Sequence, residues 1–379
     1  MDNIAGQKTA LMWAVHLSVV ILVAMWIFPT VGLFVSSFRT GEQISGSGWW
    51  KAMSTQEQQM SPIRVSGDPK QDGDLYIIEG SLFPETDATV SAWGTSSREP
   101  QANTPGDEVE LKDEWRLSLD DAGNFRLSSP TPYEGARLPR IFMTASSPPE
   151  FTFSNYRQVL GTSTADAGVG RAFINTLTVS IPATIIPILV AAFAAYALAW
   201  MEFPGRALLI AAIVGLLVVP LHLALIPLLR LHLSIGIGKG YLGVWLAHTG
   251  FGLPLAIYLL RNYMVGLPRD IIECAKVDGA TDFEIFLKIV LPLSFPALAS
   301  FAIFQFLWTW NDLLVALVFL GVGDDRTVLT GALLSLMGSR GGDWEILATS
   351  AFVSIAVPLL VFFTMQRYLV RGLLAGSVK

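Results

Sequence analysis

Charge is scarce in this chain. Asp, Glu, Lys and Arg make up only 15% of its 379 residues, against 52% hydrophobic, and the mean hydropathy is +0.51. A water-soluble chain carries about 25% charged residues. The shortfall sits in long uncharged runs, which excludes an ordinary soluble domain and makes this an integral membrane protein. Cysteine is nearly absent: Cys274 stands alone, so no intrachain disulfide forms. A phosphate-binding loop is also missing. The nearest candidate, Gly236-Ile237-Gly238-Lys239-Gly240, lacks the upstream glycine and the Ser/Thr after lysine. Nucleotide chemistry must therefore come from another polypeptide. The four histidines, His16, His222, His232 and His248, have no metal-ligand spacing. No catalytic residue, metal, cofactor or nucleic-acid partner of the chain's own is expected.

What is present is a set of apolar runs long enough to span a bilayer, which takes about 20 residues. Six qualify, lying between Lys8 and Arg39, Arg171 and Glu202, Arg206 and Arg230, Lys239 and Arg261, Lys288 and Gly321, and Glu345 and Arg367. Several hold prolines, among them Pro182, Pro187, Pro220, Pro227, Pro254 and Pro358, which membrane helices tolerate. The first run is too long for a signal-peptide core and has no small-residue cleavage site, so it reads as a retained anchor. Positive charge marks the cytoplasm. With the N-terminus inside, nine Lys/Arg fall on the cytoplasmic side and four in the short outer loops. Both termini are then cytoplasmic. The fold expected is an all-α bundle of six transmembrane helices.

Residues 39–150 differ in kind. The stretch from Arg39 to Arg171 holds 12 Lys/Arg and 19 Asp/Glu, a balance of −7, and is rich in Pro, Gly and Ser. A loop this long is exported largely regardless of charge. Short strands are expected at 74–78, 89–93, 114–119 and 140–143, with a turn at Asp121-Ala122-Gly123-Asn124. The expectation is a β-rich extracytoplasmic insert between helices 1 and 2, its domain within about residues 60–147. The alternative is a disordered polar loop. The first helix then occupies 1–38, and five more lie in 151–379.

A polar module at 268–292 interrupts two apolar segments. Pro268 and Asp270 suit a helix N-terminus, and a helix can run to Asp278. Gly279 supplies a left-handed stop. Thr281 and Glu284 form a capping box for a second helix, which Pro292 closes. Cys274 and Ala275 are small enough for a partner surface to approach closely, and Phe283, Ile285 and Phe286 offer apolar anchors.

This module resembles the cytoplasmic loop of permease subunits of binding-protein-dependent ABC importers: Glu-Ala-Ala, three free positions, Gly, nine free positions, Ile, one free, Leu-Pro. Glu273, Ala275, Gly279, Ile289, Leu291 and Pro292 match, and Cys274 replaces the usual Ala. From about Phe151 onward the chain resembles the maltose-type carbohydrate-uptake group. Phe173-Ile174-Asn175-Thr176-Leu177, Trp310-Asn311-Asp312 and the tail at 367–379 carry that likeness. The long first loop departs from the maltose-type subunit and looks most like the α-glucoside permease branch.

The resemblance implies an importer subunit working with a second permease, two ATPase subunits holding ATP and Mg, and an extracytoplasmic sugar-binding protein, in a bacterial inner membrane. It implies ATPase coupling through Glu273, Cys274, Ala275, Asp278, Gly279, Ala280, Phe283 and Phe286. It also implies ATPase contact by Gly376, Ser377, Val378 and Lys379. Polar groups inside a span face an interior or a cavity. Gln305, Trp308 and Asn311 therefore either line a sugar path or join helices and mark the membrane interface. His222 and His248 either serve the bundle or face the sugar. Two other readings are an ion-coupled secondary transporter, for which only Asp312 is a candidate, and a membrane-anchored ligand-binding sensor, which lacks a cytoplasmic output domain.

Overall fold

A computed structural model of the protein describes residues 4–83, 88–132, 138–161, 168–321, 323, 325–339 and 343–375. The chain divides into two compact units, Met1–Tyr156 with Gly342–Thr349, and Arg157–Gly341 with Ser350–Lys379.

The first unit opens with α1, Ile4–Ser36, an apolar helix whose flanks are exposed from Leu11 to Phe28. A short helix α2 (Gly41–Gly46) follows, started by a capping box between Thr40 and Gln43. Among the described residues, the strands that come next are β1 (Gln56–Gln59), β2 (Ile63–Arg64), β3 (Lys70–Asp72), β4 (Leu75–Ser81), β5 (Thr89–Gly94), β6 (Glu108–Glu110), β7 (Arg116–Leu119), β8 (Asn124–Ser129) and β9 (Arg140–Ser147). They form two antiparallel sheets. In one, β9 pairs with β1, β2 and β5; the other runs β3-β4-β8-β7-β6. Alternation along the strands turns Ile141 and Met143, Leu117 and Leu119, and Phe125 and Leu127 into one buried cluster with Trp93 and Ile78. Their neighbours Arg116, Arg126 and Glu79 stay outside, as an antiparallel sheet with one wet face requires. The expected turn joins β7 to β8. Gly123 takes φ +81°, and Asp120 accepts hydrogen bonds from the Asn124 backbone (2.7 Å) and side-chain amide (2.8 Å). The insert is thus β-rich, from Gln56 to Ser147.

Helix α3 (Ser154–Leu160) leads to the second unit. Its long helices are α4 (Gly168–Trp200), α7 (Tyr241–Val265), α11 (Phe295–Asn311) and α14 (Trp344–Ala375), whose first turn and a half groups with the first unit. Between them lie α5 (Arg206–Leu216), α6 (Leu221–Ser234), α8 (Arg269–Val277), α9 (Asp282–Ile285), α10 (Leu291–Leu293), α12 (Leu314–Phe319) and α13 (Leu329–Ser339). Ala191, Ala192 and Ala195 on α4 are buried against Ala256 and Leu260 of α7. Small residues on both helices permit that close approach. Trp310 Nε1 donates to the Ser354 carbonyl (2.9 Å), fastening α11 to α14.

Among the described residues, four helices are long and apolar enough to cross a membrane, or six if two bent pairs each count as one span. The expected third span is one of those pairs. It breaks at Pro220, and α5 and α6 meet at 110°. Proline cannot donate to the preceding turn and pushes the residue before it out of helical geometry. The fifth span also differs from expectation. It ends at Asn311 because Asp312 is extended (ψ 116°), and its carboxylate accepts from the Val315 backbone to start α12.

The insert's core makes a stability prediction. Leu127 is fully buried between β4 and β7. In a soluble fragment of residues 54–150, Leu127→Ala should cost about 2–5 kcal/mol, read as a fall in the urea midpoint. Unchanged stability would mean the two sheets do not share this core.

Candidate functional site

The module at 268–292 begins with α8, only nine residues long. An isolated helix of this length is marginal, so it needs a support. Ile272 is buried and Ala275 half-buried, one turn apart, in one apolar cluster with Ile285 and Phe286, Met264 and Leu260 of α7, and Tyr196 of α4. The opposite face, Asp270, Glu273, Cys274 and Val277, is exposed. The helix ends in a Schellman motif. Gly279 takes φ +82° as its N–H donates to the Lys276 carbonyl (3.1 Å), and the Ala280 N–H donates to the Ala275 carbonyl (3.0 Å). Space beside the Gly279 Cα is open, so its backbone angle, not crowding within the chain, demands glycine there.

The capping box is present. The Glu284 N–H donates to Thr281 Oγ1 (3.3 Å), and the Thr281 N–H donates to Glu284 Oε2 (3.1 Å). Lys288 adds an ion pair to Glu284 (3.1 Å). Pro292 does not close the second helix as expected. The chain stays helical through α9, a π turn at Phe286–Val290 and α10, turns at Ser294, and bends by 69° into α11. Pro292 sits at the start of α10 and cannot donate to the preceding turn; the Leu291 N–H bonds one residue further back, to the Phe286 carbonyl.

These geometries sort the expected coupling residues. Glu273, Cys274, Asp278, Gly279 and Phe283 are exposed on the module. Ala275 and Ala280 face inward, and their small size serves the chain's own packing. Phe286 is only 2% exposed and lies against Phe193 (4.6 Å between centroids) and Tyr196 (5.3 Å). It and Ile285 are therefore foundations, not anchors for a partner. One surface residue went unrecognised from the sequence: Val277, 88% exposed. The i, i+4 spacing from Glu273 was its available signal. A clamp was also unforeseen. The Tyr196 hydroxyl donates to the Asp282 carboxylate (3.3 Å), which also pairs with Lys276 (3.6 Å). It joins the end of α4 to both short helices.

The bundle's polar groups are largely committed to structure. Gln305 Nε2 donates to the Ala183 carbonyl (3.1 Å), and its amide fills the notch left by Gly252. Asn311 is exposed and donates to the Leu307 carbonyl of its own helix (2.7 Å). Trp308 is half-buried, edge-on to the fully buried ring of His248 at 5.7 Å. Among the described residues, no protein group hydrogen-bonds either His248 nitrogen. His222 is exposed. Gly376 to Lys379 lie outside the described residues.

The family model for the binding-protein-dependent transport system inner membrane component matches residues 163–374. The chain belongs to that family. It is a multi-pass ABC permease subunit, a transport component and not an enzyme. The permease is 60% identical to the α-glucoside transport system permease protein AglG of Rhizobium meliloti over 380 aligned residues, covering 99% of each chain. It is 59% identical over 230 residues to the osmoprotective compounds uptake permease protein GgtD of Synechocystis, covering 61% of this chain and 76% of that one. In fold, the permease is similar to a chain of a bacterial ABC transporter that imports the acidic polysaccharide alginate. The TM-score is 0.57 at 16% identity, over 97% of this chain and 99% of that one.

The sorting of the two phenylalanines can be measured. Phe286→Ala should cost about 3–5 kcal/mol, lowering the thermal midpoint of the detergent-solubilised permease. Phe283→Ala should stay within about 0.5 kcal/mol. Equal effects would contradict the assignment of one to the base and the other to the surface.

Proposed function

We propose that this permease carries α-glucosides or a related oligosaccharide across the bacterial inner membrane, with the module at 268–292 docking on a partner ATPase. The observation that carries the coupling role is the polarity of α8: one face joins the apolar cluster shared with α4 and α7, and the other presents Glu273, Cys274 and Val277 outward. A short helix fixed in this way can pass rigid-body motion from a partner into the spans without chemistry of its own. The full-length likeness to AglG supports the sugar class. The ATPase pair supplies ATP and Mg, a second permease completes the pathway, and an extracytoplasmic binding protein delivers the sugar. Six spans with both termini cytoplasmic fit the distribution of positive charge, and the insert then lies outside. The tail at 376–379 contacts the ATPase pair. Asp312, the one acid an ion-coupled mechanism would rely on, is spent as a helix cap, which disfavours that alternative.

The test is sugar uptake measured beside co-purified ATPase. Gly279→Val forces a β-branched residue to φ +82°, at a cost of roughly 1 kcal/mol or more. It should leave the spans inserted but lower both readings. Glu273→Lys should do the same by charge reversal. Val277→Asp should weaken the ATPase about tenfold, the equivalent of about 1.4 kcal/mol, because it places charge in a contact that should be apolar. Cys274→Ala should be tolerated. Removing 376–379 should change ATPase stimulation without changing insertion. Normal uptake in both Gly279→Val and Glu273→Lys would end the coupling proposal.

A further inference from the structure

The segment that follows α1 does not simply leave the helix end. It turns back along it. Arg39 is buried, and its guanidinium donates to the Gln43 carbonyl (2.6 Å), the Ser47 carbonyl (3.1 Å) and Ser47 Oγ (2.7 Å), closing the turn around α2. A single 3₁₀ turn, Trp49–Lys51, comes next. The Trp49 ring lies 4.6 Å from Phe28, and its indole occupies the notch at Gly32. A Cβ there would come within 2.6 Å of Nε1. Trp50 stacks on Phe28 at 6.4 Å. Phe28 precedes the end of α1 by eight residues, about 12 Å at 1.5 Å per residue. The chain has therefore returned about 12 Å down the side of its own membrane helix.

Trp50 is 66% exposed and Met53 is 83% exposed. Both adjoin a helix that carries no charge between Lys8 and Arg39 and exposes its apolar side chains from Leu11 to Phe28. The far end of the insert gathers aromatic rings just past the end of α1. Phe153 is exposed and edge-on to Phe38 at 5.3 Å, Tyr156 lies 5.1 Å from Phe38, and the Thr152 N–H donates to the Phe38 carbonyl (2.7 Å). Aromatic side chains flanking the end of a membrane helix favour the boundary between headgroups and acyl chains.

We propose that residues 48–54 form a membrane-interface anchor, with Trp50 and Met53 inserted among phospholipid acyl chains and Lys51 at headgroup phosphate. The occupant is lipid because this surface continues the lipid-facing flank of α1 without a break. The anchor fixes the depth at which the insert begins, since β1 starts at Gln56. It rests on α1 being a membrane helix and not on the coupling reading.

The lone thiol makes the test direct. In the full-length Cys274→Ala permease, a nitroxide is attached at Met53→Cys or, as a reference in the β7–β8 turn, at Asp121→Cys. Each protein is reconstituted in phosphatidylethanolamine/phosphatidylglycerol vesicles. Collisions with oxygen, which concentrates in lipid, are compared with collisions with a water-soluble nickel chelate. The label at 53 should meet oxygen several-fold more and nickel several-fold less than the label at 121. Adding Gly32→Leu, which expels Trp49 from its notch, should move label 53 toward the nickel-accessible range. Nickel access at 53 equal to that at 121 would overturn the anchor. Shielding of label 53 from both reagents would show a protein occupant and would equally overturn it. The comparison of 53 with 121 decides the matter even if Gly32→Leu fails to fold.

Discussion

The coupling proposed for this permease depends on a nine-residue helix being held by one side. Arg269–Val277 is too short to persist alone. It persists because Ile272 and Ala275 join the apolar cluster built by α4 and α7, with Ile285, Phe286 and Val290 extending the same base. Because one side is spent on support, the other is free to meet a partner, and the helix cannot swing independently of the spans beneath it. The Schellman motif at Gly279 and the capping box at Thr281 set the angle between the two short helices. The Tyr196–Asp282–Lys276 clamp spans the same joint. Half-exposed ion pairs are weak, so apolar burial carries the fastening and the clamp sets its register.

Much of this could be read from residue order, because caps and stops are local. Gly279 and Thr281 with Glu284 act through backbone groups three or four positions away, and they were found where spacing placed them. The two faces of α8 were not legible in the same way. Ala275 and Cys274 are both small, and nothing local says which faces the core. Phe283 and Phe286 are equally apolar, and only the arrival of Phe193 and Tyr196 from α4 separates them. The breaks at Pro220 and Asp312 show a related limit. Apolar runs announce a membrane segment but not whether it crosses straight, since proline and capping acids are tolerated in spans.

The insert divides in the same manner. Strands with alternating apolar residues, such as β4, β5, β7 and β9, were visible in outline. Strand β1 is Gln-Glu-Gln-Gln and has no apolar face to announce it; it pairs antiparallel with β9 over Gln56–Gln59. Strands β3 and β6 are three residues long at the sheet's edges. Inside the bundle, Gln305, Trp308 and Asn311 were open to two readings by residue type, a sugar path or helix contacts and the membrane interface. Gln305 and Asn311 donate to the Ala183 and Leu307 carbonyls, and Trp308 meets the His248 ring edge-on, contacts that residue order does not announce.

The central claim is that the outward face of α8 touches the ATPase. Cys274 lies on that face, is exposed, and is the chain's single thiol. A short photo-activated cross-linker attached to Cys274, in membranes holding the complete transporter, reads the contact directly. The account predicts an adduct joining this permease to the ATPase subunit, with a yield that changes when nucleotide is added. Adducts only with lipid or with the extracytoplasmic binding protein, or none at all from an efficiently labelled Cys274, would contradict it.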